Sequence, residues 1–197
     1  MPPEARRISL DQVRTRCGAL PPARRPAVVV EGSRAAAVLV PLFEAEGEAR
    51  VVLTKRPETL PSHRGEIAFP GGKAEADESA VAAALREANE EIGLDPAEVE
   101  IVAELDGLAT VASRFSITPF VGLLRAQPTL VPDPHEVDGV LQVPVSELLA
   151  DGVFREERWD LWDSDHSVYF FDLPGETVWG ATARILTSFL EHLVAPR

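Results

Sequence analysis

Between Gly72 and Leu94 the chain carries one fixed arrangement of glycines, glutamates and an arginine that few local structures can accommodate. Gly72 is followed after five residues by Glu78, and after seven more by Arg86-Glu87-Ala88-Asn89-Glu90-Glu91-Ile92-Gly93-Leu94. The spacing predicts a helix. Ser79 is a candidate N-cap, although Ala82 cannot complete a capping box. Val81, Ala84, Leu85, Ala88 and Ile92 recur at helical intervals and mark an apolar face. Gly93 is a natural stop, because glycine enters the left-handed region without a Cβ penalty. At about 100° per residue, Glu87, Glu90 and Glu91 are expected within an arc of roughly 100°, away from the apolar face.

Such a helix is electrostatically unfavourable on its own. Glu87 and Glu91 are like charges at i,i+4, which costs a few tenths of a kcal/mol. All three glutamates also lie near the negative end of the helix dipole, at a similar cost. A hard divalent cation, Mg²⁺ or Mn²⁺, reverses both effects. Mg²⁺ commonly takes one or two protein carboxylates and completes its shell with water and substrate phosphate. A solvated acidic face would explain one Glu-Glu pair, but not seven positions held in one spacing.

Composition bounds the alternatives. With 197 residues, 45% of them hydrophobic, the chain suffices for one domain (1–197) with its own core. A net charge of −13 argues against nucleic acid as a partner. No apolar run is long enough for a membrane span, since Pro41 and charged residues interrupt the best candidate at 35–43. Cys17 is the single cysteine, which excludes an intrachain disulfide and points to a reducing, cytoplasmic location. It reads as a small buried residue. Charge is unevenly spread. Arg6, Arg7, Arg14, Arg16, Arg24, Arg25 and Arg34 dominate the start, whereas residues 66–100 carry ten acids against Lys73 and Arg86. The acidic segment is suited to concentrating cations. The arginine-rich start reads as structural rather than as a transit peptide. Ser9 and Gln12 can form a capping box, Ile8 and Val13 a hydrophobic staple, and Gly18 can close the helix.

The remaining pattern alternates strands and a few helices. An N-terminal helix is expected at about 9–17, then strands at 35–43 and 50–54 around a turn at Glu46-Gly47. A loop spans 55–65, and Phe69-Pro70-Gly71-Gly72 makes a tight bend. Further strands are expected at 99–105, 117–124, 139–143 and 168–173, a short helix at 145–149 and a closing helix at about 181–193. The sum is an α/β chain with a mixed sheet covered by helices on both faces. Trp159, Trp162 and Trp179 read as core residues, with stacking on a purine as the alternative.

The stretch from Gly72 to Leu94 resembles the Nudix box, the signature of hydrolases acting on a nucleoside diphosphate linked to another group. Every charged and glycine position of the box is present, and Ala88 stands where a bulkier aliphatic residue is common. The resemblance implies an α/β/α sandwich with a mixed central sheet. It implies that Glu87 and Glu91 bind Mg²⁺ or Mn²⁺, with Glu90 as a further ligand or water-orienting group. It also implies that Arg86 holds these glutamates by pairing with them, and that Glu78 pairs nearby or reaches the metal through water.

A second stretch, Leu53-Thr54-Lys55-Arg56, Gly65 and Phe69-Pro70-Gly71-Gly72, is similar to the motif of coenzyme A pyrophosphatases. Ser113, Pro119 to Gly122, Glu136-Val137, Val143-Pro144 and Trp179 to Ala183 add to this likeness. Pro57 departs from the motif's small residue, and Pro61 from its arginine, for which Arg64 is a nearby substitute. The implied reaction is hydrolysis of coenzyme A, or a derivative, to 3′,5′-ADP and 4′-phosphopantetheine. ADP-ribose, NADH or another nucleoside diphosphate derivative is the alternative substrate, and a non-catalytic ligand-binding module the alternative class. Lys55, Arg56, His63 and Arg64 are candidate phosphate contacts. Phe69, Gly71 and Gly72 would shape the bend and admit a ligand. Glu90 and Glu136 are the candidate general bases. The resemblance leaves a homodimer open. No nucleophilic triad or phosphate-binding Gly-Lys-Ser/Thr loop is indicated.

Overall fold

Alternation sets the centre of the molecule. Along the strand β1 (Arg34–Ala45), Ala37, Leu39 and Phe43 turn to one face, and Val40 and Leu42 to the other. Both sets are fully buried, so both faces must be covered. The computed structural model describes residues 7–26, 31–59, 64–110, 113–161 and 164–195. Glu46 and Gly47, both at positive φ, turn β1 into β2 (Glu48–Lys55) as an antiparallel hairpin. On its other side β1 pairs in parallel with β7 (Phe115–Leu124), which pairs antiparallel with β5 (Val99–Glu104) and β6 (Leu108–Thr110). Outside β2 lies β8 (Gly139–Pro144).

The hairpin does not stay closed. β1 and β2 pair only through Leu42–Ala45 and Glu48–Val51. Beyond that, two short strands fill the opening. β3 (Ile67–Ala68) pairs with Thr54 and Lys55 of β2, and β4 (Gly71–Lys73) pairs with Ala36 to Val38 of β1. The bend predicted at 69–72 is therefore wedged into the sheet.

One face of this mixed sheet is covered by α2 (Ala80–Ile92), packed against β1, β4 and β7. The other is covered by α1 (Leu10–Cys17), by α4 (Gly180–Val194), and by a small antiparallel sheet ordered β11 (Glu176–Trp179), β10 (Ser164–Leu173), β9 (Phe154–Leu161). A short helix, α3 (Val145–Leu148), follows β8. The α/β/α expectation is met, and one outer layer is reinforced by three strands. Among the described residues no helix is long and apolar enough to cross a membrane.

Several expectations hold in detail. Ser9 and Gln12 form the reciprocal capping box of α1, and Ile185, Phe189 and Leu193 are the buried stripe of α4. Burying side chains of this size contributes about 1.5–3 kcal/mol each. The early arginines are structural where described. Arg14 pairs with Glu100 of β5, and Arg16 donates to the Ala195 carbonyl at the end of α4. Arg24 pairs with Asp106, and Arg34 stacks on Phe115.

Two expectations are corrected. Gly18 ends α1 in the right-handed region (φ −66°), so conformational freedom is not what closes that helix. Trp159 and Trp179 are not core residues. They lie on the outward face of the small sheet, 36% and 40% exposed, with ring centroids 6.5 Å apart. For Trp179 strand alternation explains this, because the adjacent Val178 and its cross-strand partner Phe171 fill the inner face. Trp162 lies outside the described residues. Beyond the predicted strands lie β3, β4, β6, β9 and β11.

Candidate functional site

The site is assembled where α2 crosses the wedge of β3 and β4. Ser79 caps α2 through its side chain, bonded to the Ala82 N–H, and Gly93 ends it at φ +68°. The buried face of α2 is not centred where the bulkier side chains suggested. Ala83, Ala84, Ala88 and Ile92 are buried, and Glu91 is buried among them at 4% exposure, while Val81 and Leu85 are only half-buried. Glu91 therefore does not share a solvent-facing arc with Glu90. The overlooked signal was the alanine set, which lets the helix approach the sheet closely and draws Glu91 inward.

Two glycines receive the two inner glutamates. Gly71 lies at φ +152°, and a Cβ there would fall 2.4 Å from the Ala37 carbonyl oxygen and 2.6 Å from Val38 Cα. Its N–H donates to Glu91 Oε2 at 3.2 Å. Gly72 faces Glu87, and a Cβ on it would lie 2.5 Å from the Glu87 carboxyl carbon. Gly71 thus supplies a bond to one carboxylate, and Gly72 leaves the space the other occupies.

Arg86 uses all five of its N–H donors. Nε and Nη2 hold Glu78 at 2.9 and 3.1 Å, and Nη1 reaches Glu87 and Glu90, both at 3.0 Å. Nη2 also donates to the Lys73 carbonyl at 3.1 Å. The arrangement raises the Arg86 pKa, chiefly through the Glu78 bond, and lowers that of Glu78. Glu78 is committed to this pairing, and it also accepts from the Glu75 N–H.

The inner carboxylates keep an excess of negative charge. Burial raises Glu87 despite its bond to Arg86, with Glu90 and Glu136 adding to the rise. Burial pushes Glu91 to about 8, opposed by the Gly71 N–H and raised further by Glu87 and Glu136, while Arg56 lowers it. Glu136, exposed on the loop before β8, thus acts electrostatically on Glu87 and Glu91 although 40-odd residues of chain separate it from α2. Glu90 turns outward, with its side chain 55% exposed and held by Arg86.

These residues fit a hard divalent cation. The donors are all oxygen, and a buried carboxylate with one hydrogen bond and two like charges nearby is stabilised by a positive ion. Among the described residues no three acidic, histidine or cysteine side chains form a ready-made cage. Mg²⁺ does not need one, since water and phosphate complete its shell.

The cations divide by strand alternation. Arg56 acts electrostatically on Glu91, and its buried Nε has no hydrogen-bond partner among the described residues. Lys55 turns to the opposite side of β2. Its Nζ bonds Glu176 of β11 at 2.5 Å, and this bond raises its pKa. In this structure the charge of Lys55, a candidate phosphate contact, is paired with Glu176. Phe69, 3% exposed, belongs to the core on the α4 side and anchors the bend rather than meeting a ligand. Arg64 is exposed in the turn before β3. His63 and Pro61 lie outside the described residues.

Known proteins share this architecture. Residues 33–163 match the family model described as the NUDIX domain. A protein named Nudix hydrolase 22, chloroplastic, from Arabidopsis thaliana is 45% identical over 77% of this chain and 52% of its own length. Nudix hydrolase 15, mitochondrial, from the same plant is 39% identical, covering 55% of its length. The chain spans about half of each plant relative. A protein from Photorhabdus laumondii, named Uncharacterized Nudix hydrolase NudL, is 36% identical over 88% of this chain and 90% of its own length. Among solved structures, a MutT/nudix family protein from Enterococcus faecalis aligns with 95% of this chain and 70% of its own (TM-score 0.56, 19% identity), which speaks for the fold alone. With the box helix, its two glycines and a family match across most of the sequence, the chain belongs to the Nudix family.

Proposed function

We propose that the protein hydrolyses the diphosphate of a nucleoside diphosphate derivative in the presence of Mg²⁺ or Mn²⁺, with coenzyme A or a close derivative as substrate. The observation that carries the reading is the seating of two charge-excess carboxylates, Glu87 and Glu91, against Gly72 and Gly71. Glu87 and Glu91 would hold the ion. When bound, a divalent ion polarises the diphosphate and offsets charge developing during transfer to water.

The chain's own residues do the rest. Arg86 fixes Glu87 and Glu90 in orientation. Arg56, with an unmatched N–H, neutralises a phosphate oxygen. Glu136 accepts a proton from water as the water oxygen bonds to phosphorus and the anhydride P–O bond breaks, the leaving phosphate departing with the electron pair. Glu90 is the weaker candidate for this base, because Arg86 already holds its carboxylate. For coenzyme A the products are 3′,5′-ADP and 4′-phosphopantetheine.

One observation favours ADP-ribose or a dinucleotide instead. Lys55 is bound to Glu176, which leaves one cation fewer for the 3′-phosphate that distinguishes coenzyme A. Turnover of coenzyme A and ADP-ribose, compared at equal Mg²⁺, decides between them. Much faster cleavage of ADP-ribose rejects the coenzyme A assignment. Product analysis in heavy-oxygen water then identifies which phosphorus is attacked.

A further inference from the structure

Glu136 sits on a loop, yet the backbone around it is held at both ends. The Val131 N–H donates to the Ile92 carbonyl and the Asp133 N–H to the Glu91 carbonyl, both at 2.9 Å. The loop thereby takes up carbonyls that the end of α2 leaves unmatched. Asp133 then organises a single turn. Its carbonyl accepts from the Glu136 N–H at 3.0 Å and the Val137 N–H at 2.8 Å, and its Oδ1 accepts from the His135 N–H at 2.9 Å. Pro132 and Pro134 flank it and restrict the chain further. On the far side Val137, 3% exposed, is packed into the core beneath α2.

We propose that Asp133 is a positioning residue, which through this turn registers Glu136 to the helix end that carries Glu91. The chain of contacts is short: Glu91 carbonyl, Asp133 N–H, Asp133 carbonyl and carboxylate, then the amides of His135, Glu136 and Val137. Nothing else in the loop bonds both to α2 and to the Glu136 amide among the described residues. The side chain of Glu136 is exposed, so its direction depends on backbone held in this way. Asp133 touches no substrate in this assignment. The inference rests on Glu136 as the base in the proposed hydrolysis.

The test uses the full chain with Mg²⁺, coenzyme A and ADP-ribose as parallel substrates, and amide hydrogen exchange without substrate. In Asp133→Ala the His135 amide loses its acceptor and exchanges about tenfold faster, and the Glu136 and Val137 amides, still facing the residue 133 carbonyl, exchange faster as the turn loosens. Turnover kcat falls roughly 10- to 100-fold, the scale of a misplaced catalytic group, with KM within about twofold. Asp133→Asn keeps the Oδ1 acceptor and restores kcat to within about threefold. Glu136→Gln loses roughly 100-fold or more.

Exchange and turnover in Asp133→Ala matching the native chain would overturn the proposal. So would an Asn variant as impaired as Ala, since charge rather than the cap would then matter. Full activity in Glu136→Gln removes the base and with it this role for Asp133, while leaving metal-dependent hydrolysis intact. A native chain that cleaves neither substrate rejects the proposed activity, and the exchange comparison alone then decides whether Asp133 holds the turn.

Discussion

Helix α1 places Asp11 in its first turn and Arg14 and Arg16 in its last, and it opens with a complete capping box. Helix α2 has no acid in its first turn and no base in its last, and three glutamates stand over residues 87–92. The charges of α1 follow the helix dipole and the charges of α2 oppose it. Both helices lie against the same sheet, so the difference is not one of environment class. On the proposed function, it marks where residues serve a ligand rather than the fold. In α1 the capping box and the charges at both ends favour the folded helix. In α2, Arg86 offsets Glu87 and Glu90, and Glu91 keeps a burial penalty that the proposed cation would relieve.

The largest expected effect tests that statement directly. Glu91→Gln keeps size and can still accept the Gly71 N–H, but it cannot carry charge. Turnover should fall roughly 100- to 1000-fold, the several kcal/mol that a bound ion supplies. The metal-free variant should nevertheless be more stable than the native chain at pH 8. Glu91 in the folded state has its pKa raised from 4.5 to about 8. Below 4.5 the carboxyl is protonated whether folded or not, and no penalty exists. Between 4.5 and 8 the folded state holds a proton that the unfolded state releases, so stability falls as pH rises. Above 8 the loss is complete. Melting temperatures of both proteins from pH 5 to 9 should diverge upward in pH, and Mg²⁺ should raise only the native curve. Parallel curves would remove the burial penalty from α2, and unchanged turnover would remove its metal.

The paired glycines offer the next contrast, because they look equivalent in sequence and are not. Gly71→Ala sets a Cβ against backbone at a φ of +152°, where neither partner can yield. A loss of about 3 kcal/mol or more is expected from strain and overpacking together. At Gly72 the Cβ meets only the carboxyl end of Glu87, which can move aside. Gly72→Ala should therefore fold with nearly native stability and lose Mg²⁺-dependent turnover, by roughly tenfold or more given the displacement of a catalytic-site group. Equal melting-temperature losses in the two variants would show that Gly72 serves the fold and not the site.

A smaller effect separates glutamates within α2. Glu90 is exposed and bonded to Arg86, whereas Glu87 is half-buried against Gly72. Glu90→Gln should stay within about fivefold of native kcat, less than the 10² or more that loss of a general base brings. Glu87→Gln should lose at least that much. A reversed ranking in steady-state kinetics would make Glu90 the base and relieve Glu136 of that role.

Legibility in the sequence followed how local each determinant is. The capping box of α1, the Glu46-Gly47 turn, the αL stop at Gly93 and the apolar stripe of α4 are each written within a few neighbouring residues, and all four are present. The resemblance implied that Arg86 pairs with Glu87, Glu90 and Glu91; it pairs with Glu87 and Glu90, and with Glu78, whereas Glu91 bonds the Gly71 N–H instead. What escaped was set by distant chain. β9 reads Phe-Arg-Glu-Glu-Arg-Trp-Asp-Leu, without a continuous apolar face, and becomes a strand by pairing with β10. β4 contains Gly71 and Gly72, poor strand formers, and exists because β1 and β2 part. Glu91 is buried because alanines let α2 sink onto that same wedge. Lys55 and Arg56 are adjacent in sequence and face opposite ways, and only the position of Glu176 reveals which is already paired.

The smallest expected effect completes the contrast between the two helices. Ser9 Oγ accepts from the Gln12 N–H at 3.2 Å, and the Gln12 side chain accepts from the Ser9 N–H at 2.8 Å. Ser9→Ala removes one half of this reciprocal cap and should cost about 1 kcal/mol, a fall of roughly 2–4 °C in melting temperature for a chain of this size. Val13 and Cys17 of α1 remain buried against the α4 side of the sheet, so the helix itself should persist. Since α1 lies on the sheet face opposite α2, kcat and KM should be unchanged at temperatures well below the transition. Ser9→Ala is then the inverse of Glu91→Gln, with stability lost and activity kept. A turnover defect in Ser9→Ala at low temperature would mean that the two sheet faces are coupled, and that α1 too answers to the site.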